Sequence, residues 1–238
     1  MIFWSYTAIP DLFNAVVCAA CFQRLYTSLR ASVTPSAQAI HLRNAYGLLV
    51  LAYLIFALPV LFTPANSEIL TAAFLVGHGF LFLACVDLLA IPTSFFLPHY
   101  QPRIYRLTQL LALFLVIVGI IFPPLPHVNF FSRVTQWNSP PLLDILYGVW
   151  LGVSLLVVML FFFHQSVQSR YRDVRIRALF IGGGLFILLA STAFFYPFES
   201  SVLSLVSNIF SVVGFLVTAI GVFFRPRRPM DPLIPTHD

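Results

Sequence analysis

The chain contains 238 residues, of which 60% are apolar and only 9% are charged, and its mean hydropathy is +0.93. Soluble domains carry about 25% charged residues. One soluble core cannot bury this much apolar surface, so lipid must solvate much of the chain. The composition therefore excludes a soluble globular enzyme, and the formal net charge of +5 has to be interpreted through membrane topology.

Seven apolar runs follow one another along the chain. A helix needs about 20 apolar residues to cross a hydrocarbon layer about 30 Å thick, because each residue rises about 1.5 Å. The runs predict an all-α fold, a polytopic bundle of seven transmembrane helices. They cover residues 9–29, 44–63, 69–91, 105–124, 142–164, 177–196 and 202–224.

The two ends of the chain are interpreted separately. No Lys or Arg precedes the first run and no small-x-small cleavage site is evident, so we expect a retained helix rather than a signal peptide. We therefore predict a transmembrane domain over residues 1–224. Residues 225–238 form the predicted cytoplasmic tail, which is basic and rich in Pro, and which we expect to be disordered.

The Arg residues predict the orientation in the membrane. They lie around the links between spans 1 and 2, 3 and 4, and 5 and 6, and at the start of the tail, and only Arg133 breaks this rule. Short loops rich in Arg stay cytoplasmic. We expect an outside N-terminus, an inside C-terminus and a multi-pass protein of the cell membrane, either a plasma membrane or a bacterial inner membrane. Acidic residues mark the outer ends of the spans: Asp11, Glu68, Asp144 and Glu199.

The basic start of the tail bears on partners. Residues 225–228 read Arg-Pro-Arg-Arg, a cluster that could suit nucleic acid. A basic cluster directly after a membrane span more often anchors the chain to anionic lipid. The predicted partners are therefore membrane lipid and either another protein or a second copy of this chain in a homo-oligomer, with no nucleic acid.

Several chemistries find no support in the sequence. The chain has no Lys, which makes a retinal Schiff base impossible, and it has no H-E-x-x-H, G-x-S-x-G or P-loop pattern. Cys18 and Cys21 have C-x-x-C spacing, but free Cys more often packs as a small apolar side chain than as a redox or metal site. We expect no catalytic residue and no metal site, and the sequence identifies no cofactor.

Span 3 carries two ionisable residues, His78 and Asp87. An ionisable group inside a span is costly to bury, so both are candidate ligand-binding residues. They are nine residues apart, which at about 100° per residue places them on opposite faces of the helix. Each should face protein, so helix 3 should be surrounded by other helices on two sides and be the central helix of the bundle.

The two residues have different expected partners. Gly77 and Gly79 would let another helix or a flat ligand approach His78, and haem is one possible ligand. Haem is disfavoured because the spans offer no second His at a similar depth, so a hydrogen bond across a helix interface is preferred. Asp87 is expected to pair with an inner-side Arg, either Arg106 or Arg43, and the alternative is a proton or cation site.

Span 7 carries a stripe of small and polar residues on one face. Such a stripe permits close helix packing and interhelical hydrogen bonds, and it could also line a small-ligand cavity. Packing is the commoner reason, but Ser207, Asn208 and Ser211 are kept as candidate ligand-binding residues beside those of span 3. The stripe consists of Ser204, Ser207, Asn208, Ser211, Gly214, Thr218 and Gly221.

The link between spans 4 and 5 is the longest outer segment and contains several aromatic residues. They could form a segment that lies at the membrane interface, or a lid over an outer cavity. We favour the interfacial interpretation, because Trp is enriched at the headgroup level. The aromatic residues are His127, Phe130, Phe131 and Trp137, and the link also carries Arg133.

The arrangement resembles the seven-helix membrane regions of bacterial sensor histidine kinases. Seven spans with an outside N-terminus lead directly into a cytoplasmic tail, and the Arg-rich link at 170–177 runs into a Gly-containing helix 6, as in those regions. The resemblance covers residues 9–224 and implies a sensory role. No phosphorylated-His helix and no ATP-binding domain follow Phe224, so either signal output comes from another chain or the sensor role has been lost.

Three functions are carried forward. The first is a non-enzymatic, receptor-like membrane protein that binds a small or lipidic ligand and signals through a partner, and it predicts a polar cavity lined by helices 3 and 7. The second is an accessory or structural subunit of a larger membrane complex, which predicts a helix face buried by a partner and no enclosed cavity. The third is a small transporter that uses Asp87, which predicts a water path from both sides of the membrane to that carboxylate.

Overall fold

The computed structural model describes residues 5–34, 36–129, 133–196 and 201–224. The tail at 225–238, with its Arg cluster, lies outside the described residues, as do Glu199, Phe130 and Phe131. The described part of the chain contains seven helices that are long and apolar enough to cross a membrane, in agreement with the all-α prediction. These helices are α1 (Ala8–Arg30), α2 (Ala37–Phe62), α3 (Ser67–Phe96), α4 (Gln101–Ile121), α5 (Pro141–Gln168), α6 (Arg172–Phe195) and α7 (Ser201–Phe223).

Two short strands interrupt the helical pattern between α4 and α5. Strands β1 (His127–Asn129) and β2 (Val134–Gln136) pair antiparallel, with Val128 opposite Thr135. The sequence predicted no strands in this link. The hairpin packs near α7 and the start of α1, so it lies at the end of the bundle where α1 begins.

Polar residues extend two helices beyond the predicted apolar runs. Helix α2 begins at Ala37 rather than at residue 44, since the Ser36 side chain accepts a hydrogen bond from the Ala39 amide at 3.2 Å and caps the helix. Helix α3 continues through Pro92 to Phe96, and the Thr93 hydroxyl donates to the Leu89 carbonyl at 3.0 Å. Such side-chain bonds help a membrane helix to tolerate an internal Pro.

Six helices form a ring, and α4 lies outside it. Neighbours in the ring contact one another in the order α1, α2, α3, α5, α6, α7 and back to α1. Helix α4 packs mainly on α3, and much of its surface is exposed, including Leu107, Leu110 and Ile120. Helix α3 contacts α2, α4 and α5, so other helices pack on more than one side of it, as expected. It is one of the six ring helices, however, rather than the central helix of the bundle.

The closest helix contact joins α6 and α7. A Cβ atom added at Gly184 would lie 2.6 Å from both the Gly214 carbonyl oxygen and the Thr218 amide nitrogen. One added at Gly214 would lie 2.8 Å from the Leu188 side chain. The small face of α7 is therefore buried against α6, as predicted, because only glycine lets the two backbones approach this closely.

This contact predicts different outcomes for two neighbouring glycines. We expect Gly184→Ala to destabilise the protein by about 1–3 kcal/mol, because the methyl group would force the α6 and α7 backbones apart. Gly183→Ala is the matched control: no atom lies within 4 Å of its added Cβ, so it should be neutral or slightly stabilising. Unfolding titrations in mixed micelles measure both, and equal effects at the two positions would refute the assignment.

Candidate functional site

The helical ring surrounds a cavity of about 160 Å³. Helices α2, α3, α6 and α7 supply most of its lining, and its far end reaches Thr7 and Trp137. A cavity of about 150 Å³ holds one benzene molecule, whereas drug-sized pockets measure about 300–1,000 Å³. The cavity therefore fits a molecule of about one ring and is too small for a haem.

The residues kept as candidates fall into two groups. Four of them line the cavity, namely His78, Ser207, Asn208 and Ser211. Asp87 does not line it and lies in a separate cluster. The structure thus brings α3 and α7 together at one cavity, but it does not include both ionisable residues of α3 in it.

His78 is held by hydrogen bonds at both ring nitrogens. Its Nδ1 lies 2.9 Å from the Phe74 carbonyl oxygen and its Nε2 lies 2.8 Å from the Tyr196 hydroxyl oxygen. A carbonyl can only accept, so Nδ1 carries the proton, and Nε2 of the neutral ring accepts from Tyr196. This bond joins α3 to the end of α6, and neither nitrogen is free to bind haem iron.

Ser207 and Ser211 link α7 to its neighbours. Ser191 and Ser207 exchange hydrogen bonds, each hydroxyl donating to the other residue's backbone carbonyl, at 2.8 and 3.0 Å. Ser211 accepts from the Asn14 amide nitrogen at 2.8 Å. Both interpretations of the α7 stripe, helix packing and cavity lining, therefore apply to Ser207 and Ser211, because the same side chains do both.

Asn208 differs from its two neighbours on α7. Its amide nitrogen is buried and has no hydrogen-bond partner among the described residues, although the residue lines the cavity. A buried donor without a partner is costly. Within the described part of the chain, Asn208 is therefore an α7 residue at the cavity whose side-chain NH2 donor is unused.

The expected partners of Asp87 were wrong. Its Oδ1 lies 2.8 Å from His41 Nδ1 and 3.4 Å from the Tyr105 hydroxyl, rather than near Arg106 or Arg43. Arg43 donates instead to the Asn44 side chain at 2.7 Å. The error arose because the prediction began α2 at residue 44, which left His41 out of the helix that carries it over Asp87.

Asp11 is the functional candidate that the sequence analysis missed. It lies within the first predicted span, but it was used only as a marker of topology. In the structure it lines the cavity near Tyr53. In the described part of the chain its carboxyl group has no hydrogen bond and no ion pair, and no Arg belongs to the cavity lining.

The hairpin covers the end of the ring where Asp11 lies. Thr7 donates to the Thr135 hydroxyl at 3.1 Å, and the Tyr6 amide donates to the Arg133 carbonyl at 2.9 Å. The Trp137 ring lies 5.2 Å from Phe74 between centroids and lines the cavity. These contacts favour the lid interpretation for Trp137, because its ring packs inward over the cavity.

Comparison with known proteins adds no functional assignment. No protein-family profile matches the chain, and no curated protein matches its sequence significantly. The kinship with the membrane regions of sensor histidine kinases therefore stays a prediction.

The hydrogen bond between His41 and Asp87 can be tested against the expected pairing of Asp87 with Arg106. His41→Leu removes the 2.8 Å partner and should cost about 1–3 kcal/mol, because it leaves a largely buried carboxylate short of a hydrogen bond. Arg106→Leu is the control, since the Arg106 side chain is exposed, and it should have little effect. Unfolding in mixed micelles measures both. A larger loss for Arg106→Leu would show that the Arg is the true partner.

Proposed function

We propose that the protein is a receptor-like, multi-pass membrane protein that binds a small molecule in the cavity of the helical ring. The observation that carries this proposal is the cavity itself, which polar groups of α3 and α7 line and which Trp137 covers at one end. An accessory subunit needs no such cavity. A transporter based on Asp87 needs a water path to it, yet that carboxylate is paired with His41 away from the cavity lining.

Helices α6 and α7 are suited to transmit the effect of ligand binding from the cavity to the end of the bundle where α6 begins. Both line the cavity, through Ser191 and Ser207 among other residues, and they meet backbone to backbone at Gly184 and Gly214. A ligand between them would alter this contact only if it bound one arrangement better than another. The signal would pass to a protein partner on the side where α6 begins.

The side where α6 begins holds the Arg-rich link. Arg177 Nε donates to the Gly221 carbonyl at 3.4 Å, which ties the start of α6 to the end of α7. Arg177 and Ile181 also line a second pocket of about 250 Å³ at this end, and Ile181 lines the central cavity as well. A shift of α6 at the ligand would therefore move groups next to the expected cytoplasmic surface.

The proposed orientation places the hairpin and the Asp11 end of the cavity outside the cell. Arg24 and Arg30 of α1, and Arg103 of α4, lie at the opposite end of the helices from the hairpin. Short Arg-rich links remain in the cytoplasm. The ligand would then approach from the outer side, in either a plasma membrane or a bacterial inner membrane.

Occupancy of the cavity can be tested by blocking it. Ser204 lines the cavity, so Ser204→Phe should fill part of the space and exclude a ligand. Ile209→Phe on the same helix is the control, because Ile209 is 61% exposed on the outer surface. Mass spectrometry of small molecules that copurify from native membranes should show one compound enriched with wild type and with Ile209→Phe, and lost with Ser204→Phe. No enriched compound, or equal enrichment in all three, would overturn the proposal.

The orientation can be tested by cysteine labelling of intact cells. The native Cys18, Cys21 and Cys85 are buried and can be replaced by Ala to give a clean background. An impermeant maleimide should label His127→Cys in the hairpin, because His127 is exposed, and should spare Thr236→Cys in the tail until the cells are lysed. Labelling of the tail before lysis would reverse the topology.

A further inference from the structure

The cavity contains a carboxyl group with no counter-ion. Asp11 lines it without a hydrogen bond or ion pair to any described residue. Asp87, by contrast, has both His41 and Tyr105. An ionised acid within a membrane bundle is stabilised only by a charged or hydrogen-bonding partner. The chain supplies such partners for one of these acids and, within the described ranges, not for the other.

Among the described residues, no cationic side chain lies in the cavity lining to fill this role. The cavity lining includes no Arg, and the chain has no Lys. His78 lines the same cavity, but Nδ1–H is used by the Phe74 carbonyl and Nε2 accepts from Tyr196. A counter-ion for Asp11 would therefore have to come from a molecule that enters the cavity.

The walls beside Asp11 suit a cation with an apolar body. Tyr53, Phe56 and Trp137 all line the cavity, and their rings form a continuous series, with centroid distances of 6.4 Å between the first two and 6.2 Å between the last two. Aromatic faces attract ammonium groups within about 6 Å. A carboxylate with aromatic walls therefore favours a cation and disfavours an anion.

A second unsatisfied group lines the same cavity. The buried Asn208 amide nitrogen lacks a partner among the residues described. The cavity volume of about 160 Å³ restricts the guest to about one ring or a short chain. The charge of Asp11, the aromatic walls and the cavity volume each restrict which ligand can bind. These are three separate observations.

We propose that the cavity binds a small protonated amine with an apolar body, with Asp11 as the counter-ion of its ammonium group. This inference rests on the proposed ligand-binding function and names the chemical class of the ligand. The ammonium would lie at the hairpin end of the cavity, near Asp11 and Tyr53. The apolar body would extend toward α3 and α6.

Two isosteric probes test the charge requirement. Benzylamine is an ammonium at neutral pH, and benzyl alcohol is its neutral counterpart of the same size. Binding to the full chain in lipid nanodiscs is measured by saturation-transfer NMR, with Ser204→Phe as the blank for partition into lipid. We expect wild type to bind benzylamine at least about tenfold more tightly than benzyl alcohol, because only the ammonium pairs with Asp11.

Variants of the acidic residues complete the test. Asp11→Asn keeps the side-chain shape and should weaken benzylamine binding at least about tenfold, with benzyl alcohol binding unchanged. Glu68→Gln is the matched control: Glu68 is likewise an acid in the first turn of a helix, but it is exposed and lies outside the cavity lining. This control should leave the binding of both probes unchanged.

The outcomes separate the two proposals. Equal affinity of wild type for the two probes, each above the Ser204→Phe blank, would overturn the amine assignment while leaving a ligand-binding cavity, and would show that Asp11 is a neutral acid. Absence of binding of either probe above the blank would count against both proposals. The comparison of probes on wild type decides the amine assignment even if Asp11→Asn fails to fold.

Discussion

Hydrocarbon offers no hydrogen-bond partners, and the polar side chains of this bundle are arranged to find partners on one another. The bonds run between helices: His78 to Tyr196 joins α3 to α6, Ser191 to Ser207 joins α6 to α7, and Asn14 to Ser211 joins α1 to α7. Because each bond requires a particular rotation of two helices, together they specify how the ring closes. Lipid-facing apolar side chains impose no comparable requirement.

Against this pattern, the two unsatisfied groups in the cavity stand out. Asp11 and Asn208 lie on α1 and α7, which are neighbours in the ring, and both face the space that the ring encloses. Other buried polar atoms of the described residues also lack a partner, among them Trp150 Nε1 and His164 Nδ1, but Asp11 and Asn208 both lie at the central cavity, where an unsatisfied group costs stability. Sites that sacrifice stability in this way are commonly functional, and the hairpin above them limits access to the same space.

The sequence predicts the seven long apolar helices well because hydropathy over about 20 residues is a direct signal for such a helix. The seven apolar helices, the burial of His78 and the close-packed face of α7 all follow from the need to keep polar groups away from lipid tails. The first residue of α2 could not be predicted in this way, because Ser36 caps the helix by a local hydrogen bond that hydropathy does not detect. His41 was therefore not recognised as the partner of Asp87.

The set of residues that line the cavity was harder to predict from the sequence, because it depends on contacts between distant segments. Four of the five candidate residues line it, but Asp11 and Trp137 reach it only because α1 closes the ring against α7 and the hairpin folds over the end. These are contacts between segments more than a hundred residues apart in the chain, such as Thr7 with Thr135. No local pattern of residues encodes such a contact. The only local signal for Asp11 was an acid within an apolar run.

The position of α4 outside the ring determines which changes of sequence the chain can tolerate during evolution. Successive membrane helices alternate in direction, so α3 and α5, which pack directly, run parallel and need a return segment between them. Helix α4 supplies that return and contributes no cavity-lining residue within the described part of the chain. Its outer face can therefore exchange Leu, Ile, Val and Phe freely, whereas loss of the whole helix would invert α5, α6 and α7 and destroy the ring.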